Sequence, residues 1–109
     1  DEARMTTFDD RKDAFEKKHA HDEELAFKAT ARRNKLLGLW VAEQLGLSGA
    51  DADAYAKDVV AADFEEAGDA DVIRKVMADL KAKAVDISEH RLAAKLAELM
   101  DVAKKQLSA

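Results

Sequence analysis

Apolar residues recur at helical spacing in four successive segments of the chain. From the acidic run Asp22-Glu23-Glu24, suited to a first helical turn, to Leu45, the residues Leu25, Ala29, Leu36, Leu39 and Trp40 fall within about 100° of one another, and Gly46 supplies an end. Ser48-Gly-Ala-Asp51 resembles a capping box and opens a second segment carrying Ala52, Tyr55, Ala56, Val59, Val60 and Phe64, which Gly68 closes. Asp69 can cap a third segment with Val72, Ile73, Val76, Met77 and Leu80 on one face; its end near Ala84 has no glycine. Asp86 or Ser88 caps a fourth, whose stripe is Leu92, Leu96, Leu99, Ala103 and Leu107. Four helices joined by short links predict an all-α fold, a small four-helix bundle over residues 22–109.

Residues 1–21 break this pattern. Thr6 and Thr7, each with an aspartate three places on (Asp9, Asp10), read as a helix start. The segment that follows shares only Met5, Phe8 and Phe15 on one face. Its charges, Asp9, Asp10, Asp13 and Glu16 against Arg11, Lys12, Lys17 and Lys18, cancel, and Asp13 to Lys17 is the favourable acid-first pair. Ordering such a segment costs roughly 1 to 2 kcal/mol per residue in backbone entropy. Burying two phenylalanines and a methionine returns about 1.5 to 3 kcal/mol each. The expectation is a mobile arm that frays when free and becomes helical in a partner's groove.

Composition narrows the function classes. The 109 residues suit one domain, and with 48% hydrophobic residues, 6% aromatics and no proline nothing in the interior forbids long helices. A formal net charge of -5 argues against binding nucleic acid through its phosphates. With no cysteine there is no disulfide and no thiolate chemistry, which fits a reducing compartment. No run of 18 apolar residues is present, and the first residues are too charged for a signal peptide, so the expected location is the cytoplasm.

No constellation points to catalysis, a metal or a cofactor. His19 and His21 are two apart and on a helix point about 200° from each other, so they cannot share an ion. His19 continues the Phe8/Phe15 face and reads as a contact or pH-sensitive residue. Ser88, Glu89 and His90 imitate fragments of a hydrolytic triad but fall in a first helical turn, where serine and glutamate are capping residues. Arg32, Arg33 and Lys35 form the densest basic patch outside the arm; no glycine-rich loop precedes it, so a contact with ATP or ADP there would be superficial, and a solvated or internally paired face competes with it. Trp40, Tyr55 and Phe64 read as core residues, and the acids Asp63, Glu65, Glu66, Asp69 and Asp71 as the ordinary complement of a helix junction.

Several blocks carry a family resemblance. Met5-Thr-Thr-Phe-Asp-Asp-Arg11, Ala20-His21-Asp22, Leu25-Ala26-Phe27-Lys28-Ala29, Ala62-Asp63-Phe64-Glu65-Glu66-Ala67-Gly68 with Asp71-Val72, and above all Ala31-Arg32-Arg33-Asn34-Lys35-Leu36-Leu37-Gly38-Leu39-Trp40 resemble the zeta subunit family of alphaproteobacterial F-type ATP synthases. The resemblance implies a four-helix bundle with a mobile N-terminal segment and a role as an inhibitor of ATP hydrolysis. The segment would enter a catalytic interface formed by the α, β and rotor subunits of the head, at the inner face of the inner membrane. Carried over to this chain, the inhibitory element is Met5 to His19. Phe8 and Phe15 are then its anchors, and Met5, Thr7, Asp9, Asp10, Arg11, Lys12, Lys17, Lys18 and His19 its other contacts. Asp1-Glu2-Ala3-Arg4 precede the methionine where the family's sequences usually begin, and His19 stands where many relatives are expected to carry an aromatic; both bear on how tightly the arm fits. The competing expectation is a weakly nucleotide-binding regulatory bundle using Arg32, Arg33 and Lys35.

Overall fold

A computed structural model describes residues 2–63 and 68–108, with the side chains of the first helix described from Ala20 onward. The elements are α1 (Glu2–Gln44), α2 (Gly49–Ala62), α3 (Ala70–Ala82) and α4 (Glu89–Ser108), with no strand among the described residues. The all-α, four-helix expectation holds. Helix α1 starts at Glu2, ahead of the expected threonine caps, because Glu2, Ala3, Arg4 and Met5 are all compatible with a helix and an acid in the first turn suits the dipole. It also runs through Asp22-Glu23-Glu24 without a break. That acidic run is exposed along the helix, and Glu24 pairs with Lys28 at 3.0 Å, which holds its carboxyl below the usual range.

The core is built from Leu37 and Val41 of α1, Val59 of α2, Val72, Val76 and Leu80 of α3, Ile87 of the last link, and Leu92, Leu96 and Leu99 of α4. For α3 and α4 the buried apolar residues lie on the expected stripes, and Asp71 is buried with them at the start of α3. For α1 they do not. Its buried arc is Ala29, Arg33, Asn34, Leu37, Val41 and Ala42, whereas Leu36 and Trp40 only flank the core and Leu25 is exposed. The reason is position: α1 touches α2, α3 and α4, so it buries a wider arc than a one-sided amphipathic helix. The two polar members of that arc, Arg33 and Asn34, conceal it from a count of apolar residues.

Close approach of α1 and α2 depends on Gly38. A Cβ at this position would stand 2.6 Å from the Ala56 Cα and 3.1 Å from its Cβ. Helix ends follow local chemistry. At Gly46 (φ 80°) the Leu47 amide donates to the Ala42 carbonyl at 2.8 Å and the Gly46 amide to Glu43 at 3.1 Å, the paired bonds of a left-handed cap. The glycine-free end of α3 uses the same device: Val85 donates to Leu80 at 2.9 Å and Ala84 to Lys81 at 3.0 Å, with Ala84 itself forced to φ 57°. Ser88 caps α4, its Oγ accepting from the Arg91 amide at 3.1 Å. Ser48 and Asp69 occupy the N-cap positions of α2 and α3 without a side-chain cap bond.

Candidate partner-binding site

The arm residues singled out from the sequence, Met5, Thr7, Phe8, Asp9, Asp10, Arg11, Lys12, Phe15, Lys17, Lys18 and His19, belong to the N-terminal half of α1; their side chains lie outside the described residues. Phe64, Glu65 and Glu66 also lie outside them. At 1.5 Å per residue a 43-residue helix is about 65 Å long, far more than the 13 to 20 residues of α3 and α4 can flank. The same helix that carries the arm therefore becomes the central helix of the bundle.

The three basic residues of the Arg32–Lys35 patch part company. Arg33 is buried: its Nη2 donates to Asp69 Oδ1 at 2.7 Å, and its Nη2 and Nε donate to Asn34 Oδ1 at 2.7 and 3.0 Å. Asp69, expected as a helix cap, thus serves as the counter-ion that makes burial of a guanidinium tolerable. Arg32 is exposed and donates to Gln106 Oε1 at 3.0 Å, and Lys35 is exposed. Residues 32 and 33 lie about 100° apart on a helix, so one faces solvent while the other faces the core.

Arg32 and Lys35 share a groove with residues that no sequence motif linked to them. Its floor is the outward face of α1 with Phe27, Ala31, Leu36 and Leu39; α2 adds Lys57 and Val60, and α4 adds Leu107. Lys28 completes a set of four cations interspersed with these apolar residues, in a groove of about 710 Å³. The only sequence signal for it is Phe27, which is out of phase with the apolar stripe and is 59% exposed. A second cleft adjoins it where α1 leaves the bundle, between His21, Asp22, Leu25, Ala26 and Ala29 of α1 and Lys104, Leu107 and Ser108 of α4.

Elsewhere the polar groups serve the fold. Trp40 packs against the core with Lys95 and Arg91 at 5.2 and 6.0 Å from its ring. Tyr55 donates to Asp79 Oδ2 at 2.7 Å, and burial together with that bond pushes its hydroxyl pKa up. Asp71 accepts from Arg74 Nη1 at 2.7 Å. His90 and Glu89 are exposed beside the capping Ser88. Among the described residues no three acids, histidines or cysteines are grouped to hold a metal, and no helix is long and apolar enough to cross a membrane.

A family model described as ATPase inhibitor subunit zeta matches residues 5–106. A solved solution NMR structure is similar at 61% identity with a TM-score of 0.68, over 75% of this chain and 93% of the other. No curated protein matches the chain.

Proposed function

The chain belongs to the ATPase inhibitor subunit zeta family, and from that membership we propose that it inhibits ATP hydrolysis by an F-type ATP synthase through its N-terminal arm, residues 5–19. The arm inserts as a helix at a catalytic interface of the head, formed by the α, β and rotor subunits, while the bundle of residues 22–109 stays outside. In this role the protein is regulatory and performs no chemistry of its own. It resides in the cytoplasm, peripheral to the inner face of the inner membrane through the synthase.

The observation that carries this reading is the continuity of α1: one helix runs from Glu2 into the bundle as its central element. Anything gripped by the arm is thereby joined to the bundle through one helix. Phe8 and Phe15, seven apart, share a face and act as anchors, a spacing suited to recognition of a helix in a groove. Arg11, Lys12, Lys17 and Lys18, with Asp9 and Asp10, are charges at the rim, and Met5, Thr7 and His19 complete the contact. A handful of anchors dominates such interfaces, so Phe8 and Phe15 carry most of the affinity.

The test is ATP hydrolysis by the cognate enzyme titrated with the full chain and with a form lacking residues 1–19. The shortened form is expected to lose inhibition while far-ultraviolet circular dichroism reports an intact bundle. Inhibition retained by a folded, arm-free protein would refute the reading.

A further inference from the structure

We propose that the basic, apolar-floored groove at the root of the arm is a second docking site, and that its occupant is an acidic amphipathic helix on the surface of the ATPase head. The proposal rests on the inhibitory reading above, which supplies the partner; the groove itself supplies the chemistry of the contact.

Charge segregation comes first. The chain as a whole carries a net charge of -5, yet the groove is lined by Lys28, Arg32, Lys35 and Lys57 and, among the described residues, by no carboxylate. Their present partners are weak competitors. Lys28 meets Glu24 in an exposed pair, Arg32 meets a neutral glutamine, and Lys35 and Lys57 pair with no carboxylate among the described residues. A cluster of cations on an acidic protein selects an acidic partner and steers its approach.

Length suits the groove to a helix. Its floor runs along α1 from Phe27 to Leu39, and twelve residues at 1.5 Å each make a trough of about 18 Å, or roughly three turns of an incoming helix. On α1 the cations Lys28, Arg32 and Lys35 project between Phe27 and Ala31 on one side and Leu36 on the other, with Lys57 across on α2, so an incoming helix would lay its acids along the middle of the groove and its apolar residues beside them. Continuity with the arm then points to the owner. Phe27 lies eight positions after His19 on the same helix, roughly 12 Å along its axis. A partner that encloses the arm is thereby within reach of this groove.

The deciding experiment uses the full chain with the arm intact, carrying Lys35→Glu and Lys57→Glu together. Both side chains are exposed, so the fold is expected to survive, which circular dichroism and Trp40 emission check. The concentration giving half-maximal inhibition of the cognate enzyme is expected to rise roughly tenfold, with complete inhibition still reached at high concentration and with Lys35→Gln/Lys57→Gln intermediate. An unchanged half-inhibition concentration overturns the groove and leaves the arm reading standing. A wild-type chain that neither binds nor inhibits overturns the arm reading and this proposal with it. Two further results overturn the groove's assignment alone: sedimentation showing self-association that the double variant abolishes, which gives the groove to a second copy, or chemical-shift changes with ATP confined to its lining, which give it to a nucleotide.

Discussion

Replacing Gly38 by alanine sets two effects of known sign against each other. In an unpacked helix the change is stabilising by about 1 kcal/mol, because glycine loses more backbone freedom on folding. Here the new methyl would stand 2.6 Å from the Ala56 Cα, 3.1 Å from its Cβ and 3.3 Å from the Val59 Cβ. Carbon atoms rest at about 3.5 to 4.0 Å, so α1 and α2 must separate by roughly 1 Å. No rotamer change can relieve the contact, since its closest atom is backbone. The shift is passed to Leu37, Val41 and Val59, all fully buried. Overpacking of this kind costs about 1 to 3 kcal/mol, and a clash with backbone belongs in the upper half of that range. The net expectation is a loss of about 1 to 2 kcal/mol, which for a domain of this size lowers Tm by roughly 5 to 15 °C. Urea unfolding followed by the emission of Trp40, with circular dichroism as a second probe, measures it. Ala56→Gly in the Gly38→Ala background should recover none of the loss, because it leaves the 2.6 Å backbone contact and adds a helix-interior glycine costing about 1 kcal/mol. A Gly38→Ala protein as stable as the wild type, with an unchanged denaturant slope, would refute the close approach of the two helices.

Three other perturbations test separate features. Ala84→Gly relieves a left-handed alanine, worth about 1 to 2 kcal/mol, against about 0.4 to 1 kcal/mol of added unfolded-state entropy; a net gain of about 0.5 to 1 kcal/mol in thermal unfolding is expected, and a loss would contradict the φ of 57°. Tyr55 has its hydroxyl pKa raised by burial and by Asp79, so above its ordinary value of 10.0 the unfolded chain releases a proton that the folded one keeps. Stability is thus present below pH 10 and falls as pH rises beyond it, by at most about 1.4 kcal/mol per pH unit from this group, and Tyr55→Phe should flatten that alkaline slope in parallel urea titrations. Arg33→Ala should cost about 2 to 4 kcal/mol by emptying a buried site and leaving Asn34 and Asp69 without their donor, whereas Lys35→Ala should stay within about 0.5 kcal/mol; equal effects in equilibrium unfolding would deny the inward and outward roles of neighbouring cations.

Helix count, order and most boundaries were legible in the pattern of residues because they depend on local chemistry. Val72, Val76 and Leu80 on α3, and Leu92, Leu96, Leu99 and Ala103 on α4, lie where a one-sided stripe puts them, for each of these helices buries one face. Gly46 and Ser88 act at the ends they mark, through bonds that span only a few residues. The family, too, could be read from contiguous blocks such as Ala31 to Trp40, and the match over residues 5–106 agrees with it.

What depended on helices meeting was not legible. The buried arc of α1 is set by neighbours on several sides, so it includes Arg33 and Asn34 and excludes Leu25, against the apolar count. Arg33 is internal because Asp69, thirty-six residues away, arrives beside it, an encounter that spacing cannot foretell. The Phe27 groove has the same origin: Lys28, Arg32, Lys35 and Lys57 become one site only when α2 lies against α1, at a distance that Gly38 permits. Periodicity along one chain specifies which faces are apolar. Which faces converge, and which charges they carry together, is a property of the packing.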